Sequence, residues 1–205
     1  MSPFAKDFPI VCLGGSAGGS AAYVQLLKHL PPETGAAIVI VNHLKKTAAT
    51  LHKILPHHTR MPVDVITESL PVQPNHVFII PSNRDLSLLD GEFRIKPLSK
   101  PKGWPDVITR FLRSLAQNWD GKLVAVIVSG LDADGAEALR SIKEAGGITF
   151  AQTPDTAEWS DMPESAIKTG YIDYILPAED IARKIAQIAN EFPGGGGDVS
   201  VRFGL

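Results

Sequence analysis

The sequence predicts an α/β fold, a doubly wound and mostly parallel sheet with helices on both faces in three layers, with one β-hairpin excursion. Three observations carry that reading. Short β-branched runs alternate with amphipathic segments along the chain. Two runs, Ala37 to Val41 and Leu123 to Val128, are apolar at every position, as strands buried on both faces must be. The first run, Ile10 to Leu13, leads straight into the glycine-rich turn Gly14-Gly15-Ser16-Ala17-Gly18-Gly19, the kind of strand-to-helix turn found where such sheets meet their ligands.

The elements follow in order. After the turn a helix is expected from about Ser20 to Leu30, with Ala22, Leu26 and Leu30 on one stripe and Pro31-Pro32 stopping it. The strand Ala37 to Val41 precedes a helix over Thr47 to Leu55, then strands at Val63 to Ile66 and Val77 to Ile80. Leu86 to Leu89 and Phe93 to Ile95 flank Asp90-Gly91, a strong two-residue hairpin signal. Pro105 opens a helix whose apolar face is Val107, Ile108, Phe111, Leu112 and Leu115. Beyond the strand Leu123 to Val128, a helix over Ala136 to Ala145 is closed by Gly146-Gly147. A strand at Thr149 to Ala151, a helix after Asp161-Met162-Pro163, a strand at Tyr174 to Leu176 and a helix over Glu179 to Asn190 complete the domain. Residues 1–190 read as one domain, and 191–205, with Gly194-Gly195-Gly196-Gly197, as a tail or linker.

Composition bounds the function. A chain of 205 residues, 44% hydrophobic and 20% charged, is long enough for one well-buried core. A net charge of −2 without a Lys/Arg block offers no footprint for nucleic acid. One cysteine excludes a disulfide framework, and Cys12, inside an apolar strand, reads as a buried structural thiol. No stretch has the length of a membrane span and the N-terminus lacks a signal-peptide pattern, so the expectation is a cytoplasmic domain without membrane insertion. Six histidines, among them His29, His52, His57, His58 and His76 on expected helices and loops, lack the cysteines of a structural zinc site.

In an open parallel sheet, reactive groups gather at the carboxyl ends of the strands. The first strand delivers Ser16, the second Asn42-His43, and the third Ser129-Gly130-Leu131-Asp132-Ala133-Asp134. A serine, a histidine and an aspartate are the set that converts a hydroxyl into a nucleophile: imidazole takes its proton and carboxylate orients the imidazole. Gly14-Gly15-Ser16-Ala17-Gly18 also fits the G-x-S-x-G elbow. Each residue has a plainer reading as well. Ser16 is a favoured helix N-cap type, His43 reads equally as a hydrogen-bonded structural histidine, and Asp134-Gly135-Ala136-Glu137 is a capping box for the next helix. A dinucleotide site is disfavoured twice over. Ser16 occupies the middle glycine position of the G-x-G-x-x-G fingerprint, and Asn42-His43 stands where a ribose-binding acid belongs.

In the order Ser, His, Asp, and in the motifs Gly14 to Gly19, Val41-Asn42-His43-Leu44 and Ser129 to Ala136, the chain resembles the catalytic domain of the protein-glutamate methylesterases of bacterial chemotaxis. Ile80 to Leu86, Ala151-Gln152 and Met162 to Ile167 extend the resemblance from about Pro9 to Ile188. It implies a nucleophile at Ser16, a base at His43, a carboxylate at Asp134 and a backbone oxyanion donor at Leu131, with Ala17 and Met162 also lining the oxyanion or substrate side. It implies hydrolysis of glutamyl methyl esters, and deamidation of glutamines, on the cytoplasmic helices of chemoreceptors, by a monomer with no metal or organic cofactor. It also makes 1–190 the catalytic domain and the glycine tail an expected link to a further signalling domain. The alternative is a catalytically weak relative that binds receptor or signalling partners. Three departures bear on that choice. Asp132 stands where the family commonly has glycine, Gly103-Trp104-Pro105-Asp106-Val107 replaces a Pro-Ser-Val-Asp stretch, and the chain starts close to the first strand, without the receiver domain that gates the usual enzyme.

Overall fold

A computed structural model describes residues 8–42, 47–100 and 106–191. Its main sheet has seven strands: β1 (Ile10–Gly15), β2 (Ala37–Asn42), β3 (Val63–Val65), β4 (His76–Ile79), β7 (Leu123–Ile127), β8 (Ile148–Gln152) and β9 (Tyr174–Leu176). They lie in the order β3-β4-β2-β1-β7-β8-β9, and every pairing is parallel. The expected hairpin forms a separate antiparallel sheet of β5 (Arg84–Leu89) and β6 (Glu92–Pro97). Asp90 and Gly91 at its tip both have positive φ, 51° and 78°, the turn whose twist matches that of the flanking strands.

Side chains alternate across the sheet and build two cores. On one side, Cys12, Val39, Val41, Ala125 and Ile127 pack under the hairpin, α3 (Val107–Asn118), α4 (Leu139–Glu144) and α5 (Asp161–Lys168). On the other, Val11, Leu13, Ile38, Ile40, Val124 and Val126 pack under α1 (Gly19–His29), α2 (Thr47–Ile54) and α6 (Ala178–Asn190). The three-layer, doubly wound expectation therefore holds, with both faces of the central strands fully buried.

The chain leaves β1 toward β2 on one side and leaves β7 toward β8 on the other. The crevice between the carboxyl ends of β1 and β7 is thus the topological switch point, where this class of sheet binds its ligands. Ser16 follows one of these strands and Ser129 to Asp134 the other.

The structure corrects three local expectations. The helix read over Ala136 to Ala145 starts as a 3₁₀ turn, Ala136–Ala138, and becomes α-helical only from Leu139. His76 is not in a loop but opens β4, where its ring stacks on Phe78 at 4.3 Å and its Nε2 lies 2.8 Å from Asp64. The capping box does not form, because the residue that caps the 3₁₀ turn is Gly135, with φ 93°, and no side chain bonds there. Pro105, expected to open α3, and the tail, 192–205, lie outside the described residues. Among the described residues, no helix is long and apolar enough to cross a membrane.

Candidate active site

Ser16 is the first residue past β1, and only 4% of its surface is exposed. The β1–β7 pairing runs one residue beyond the strand, since Ser16 N–H donates to the Ser129 carbonyl at 2.9 Å. The Ser16 carbonyl accepts from Gly19 N–H at 3.1 Å, turning the chain into α1, and from Asn42 Nδ2 at 3.2 Å. Asn42 is the last residue of β2, so the serine is fixed from both neighbouring strands. Asn42 Nδ2 also reaches the Tyr23 hydroxyl at 3.5 Å, and burial pushes that phenol well above its ordinary range, which keeps it a neutral partner.

The turn depends on Gly18. Its φ of 72° is left-handed, and a side chain there would run into Ser129 Oγ and into Glu158, whose Cβ is 2.7 Å away. Ser129 does connecting work that the sequence reading missed. It is 1% exposed, its hydroxyl donates to the Ala17 carbonyl at 2.8 Å and accepts from Trp159 N–H at 3.0 Å, and its own N–H donates to Gln152 Oε1 at 3.1 Å. The usable signal was its position, directly after a fully apolar strand beside the one that delivers Ser16.

Gly130 comes next and carries the closest approach in the site. A Cβ on it would lie 3.0 Å from Ser16 Cβ and 2.6 Å from Met162 Cγ, with the Met162 sulfur closer still. Only hydrogen fits there, which brings the loop after β7 against the serine. Gly130 N–H donates to the Trp159 carbonyl, and Met162 N–H to the Gly130 carbonyl, each at 3.1 Å. Met162 itself is 1% exposed, so its side chain backs this loop from within the core. Leu131 is different, with 44% of its surface in solvent.

Asp134 is 8% exposed and sits at the N-terminus of α3. Its Oδ2 accepts from Ile108 N–H and its Oδ1 from Thr109 N–H, both at 2.9 Å. The carboxylate therefore caps a helix, but one that precedes it by some 25 residues rather than the one that follows. Thr109 Oγ1 answers by accepting from Gly135 N–H at 2.8 Å. Asp132 has an ordinary negative φ, so the missing glycine costs no backbone strain. Its Oδ1 accepts from Asp134 N–H at 2.8 Å, an Asx turn that presents the next carboxylate.

Beside Asp134 opens a cleft of about 450 Å³ lined by Lys100, Asp106, Thr109, Leu131, Asp132 and Glu137, among others. Burial alone would raise the Asp106 pKa, but hydrogen bonds from Arg110 and Lys100 outweigh it and hold this carboxyl below its usual range. Burial, and after it the negative charge of Asp134, push the Cys12 thiol far above its usual range, so it is an inert core group as expected.

The structure thus brings Ser16, Ala17, Leu131 and Met162 around one loop crossing at the switch point, and seats Asp134 on the adjoining helix end. His43 and the Trp104-Pro105 departure lie outside the described residues. Among the described residues, no group of three or more His, Cys, Asp or Glu could hold a metal ion.

Comparison with known proteins finds relatives of the chain. A family model described as CheB methylesterase matches residues 11–185. A protein-glutamate methylesterase/protein-glutamine glutaminase of Anaeromyxobacter dehalogenans is 32% identical over 180 residues, covering 87% of this chain and 53% of that protein. One from Pseudomonas aeruginosa is 30% identical over 181 residues, 87% of this chain and 54% of that protein. The chain spans about half the length of these curated relatives. Among solved structures, the catalytic domain of the CheB methylesterase of Thermotoga maritima superposes with a TM-score of 0.80 at 29% identity, over 87% of this chain and 97% of that one.

Proposed function

The chain belongs to the CheB methylesterase family, and on that footing we propose that it hydrolyses glutamyl γ-methyl esters on the helices of methylated chemoreceptors through a Ser16, His43 and Asp134 triad. Residues 1–190 form the catalytic unit in this reading, working in the cytoplasm as a monomer, with glutamine deamidation as a second reaction of the same site. One observation carries it: a buried serine at the switch point, gripped from β2 and β7, with Gly130 packed close enough to bring a loop of backbone N–H groups beside it.

The steps follow from those positions. Ser16 Oγ adds to the ester carbonyl as His43 takes its proton, giving a tetrahedral intermediate. The Leu131 N–H, two residues past Ser129, donates to the oxyanion, a contribution worth about 10²–10³ in rate. Among the described residues no hydrogen bond engages that N–H. His43 then returns the proton to methoxide, methanol leaves, and water repeats the sequence on the acyl-serine. Asp134 orients His43 and steadies its charged form; the α3 N–H groups hold the carboxylate in place while it does so. No step calls on a metal or organic cofactor.

Methanol release from methylated chemoreceptor membranes tests the proposal. The wild-type chain releases methanol and Ser16→Ala does not. Equal release by both would remove Ser16 from the chemistry. Asp134→Asn lowers turnover far more than Asp132→Asn; the reverse order would give the carboxylate role to Asp132.

A further inference from the structure

The segment that follows β8 is strapped across the serine turn. Glu158 packs against Gly18, Trp159 gives its N–H to Ser129 Oγ and its carbonyl to Gly130 N–H, and Met162 closes over Gly130. Both backbone groups of Trp159 are therefore committed to the two residues that contact the serine turn. Its side chain is not used in the core: 43% of Trp159 is exposed, and so is 44% of Leu131, the neighbour of Gly130. Two large apolar side chains thus reach solvent, Trp159 from a backbone hydrogen-bonded to Ser129 and Gly130, and Leu131 from the position next after Gly130 in the chain.

Exposed apolar residues scattered singly need no explanation, whereas a tryptophan whose backbone is hydrogen-bonded to the loop beside Ser16 offers the large, rigid surface typical of binding anchors. We propose that Trp159, together with the exposed Leu131, determines specificity by covering an apolar side chain of the substrate helix next to the esterified glutamate. The inference rests on the methylesterase reading and names its substrate class: a helix carrying an aliphatic residue three or four positions from the ester. On a helix, those positions share one face with the ester, so one docking pose serves both contacts. The indole then contributes binding energy to the macromolecular substrate and none to the bond-breaking step.

Two synthetic helical peptides test this, each with one glutamyl γ-methyl ester, one flanked by leucine at both i−4 and i+4 and the other by serine at both. The wild-type chain is expected to favour the leucine peptide by about tenfold in kcat/KM, the scale of one apolar side chain partly covered. Trp159→Ala brings the ratio close to one through KM, and Trp159→Phe retains part of it. Retention of the full preference in Trp159→Ala, or no preference in the wild type, overturns the inference while leaving the esterase reading intact. Hydrolysis of neither peptide by the wild type, together with no methanol from receptor membranes, overturns both.

Discussion

Helices α6 and α3 pack on opposite faces of the same sheet and are held by different physics. The buried positions of α6 are Ala178, Ile181, Ala182, Ile185, Ile188 and Ala189, an unbroken apolar stripe. Helix α3 buries Thr109 and Ser114 among its apolar residues, and its first turn donates two N–H groups to Asp134. Ser114 Oγ accepts from Leu88 N–H at 2.8 Å, tying the helix to the hairpin. Arg110 bridges Asp106 at 2.7 Å and lies 3.8 Å from Asp85, which in turn accepts from Ser99 N–H at 3.0 Å. One face is scaffold, filled by bulk apolar burial; the other is oriented, bond by bond, around the candidate carboxylate.

That contrast sets the size and kind of each mutational effect. On the scaffold face, Leu26 in α1 is fully buried, and Leu26→Ala should lower unfolding free energy by about 2–5 kcal/mol. Urea denaturation would measure it, and the surviving folded molecules should label at Ser16 at the wild-type rate. A large change in that rate would mean the two faces are not separable.

At the loop crossing, Gly130→Ala forces a methyl into Met162 and Ser16. Overpacking of this kind costs about 1–3 kcal/mol, and here it should also remove most activity by displacing the Leu131 N–H. Adding Met162→Ala makes room on one side, so the double variant should recover stability relative to additivity while activity stays low. Additive losses would show that the two residues do not press on each other.

Asp134→Asn tests the oriented face. An amide can accept only one of the two α3 N–H bonds, so a cap worth about 0.5–2 kcal/mol is weakened together with turnover. Unfolding in urea beside methanol release separates the two losses. Unchanged stability would contradict the helix-end role.

The smallest effect is electrostatic. Burial alone would raise the Asp173 pKa, but the hydrogen bonds from Lys143 and Thr149 outweigh it and hold this carboxyl below its usual range. A depressed folded-state pKa stabilises above the unfolded value and is lost as pH falls through the folded one. Asp173→Asn should therefore be less stable than wild type at pH 7 and converge with it in acid, once pH has fallen through the depressed folded-state value. A difference that persists in acid would assign the effect to packing.

The same contrast explains what could be read from the sequence. Strands β1, β2 and β7, their buried character and the residues at their ends were legible, because apolar runs and Gly-rich punctuation are local signals. So was the hairpin, through Asp90-Gly91. The cap of α3 by Asp134 was not, since it joins residues about 25 positions apart and only the folded sheet brings them together. Local pattern pointed instead to a capping box with Gly135-Ala136-Glu137, which the positive φ of Gly135 breaks. Ser129 and Trp159 escaped for the same reason: their hydrogen bonds to Ala17 and Gly130 span different strands. The candidate serine and aspartate are legible from strand ends, local motifs and the family resemblance, while the contacts that hold them are visible only in three dimensions.

The most direct test of the account is covalent labelling by a fluorophosphonate, with the modified residue located by peptide mass. An activated serine reacts, whereas a structural one does not. Stoichiometric modification of Ser16 is expected in the wild type, none in Ser16→Ala, and strongly slowed modification in Asp134→Asn. An unlabelled Ser16 in the folded wild-type chain, or labelling that persists elsewhere in Ser16→Ala, would contradict it.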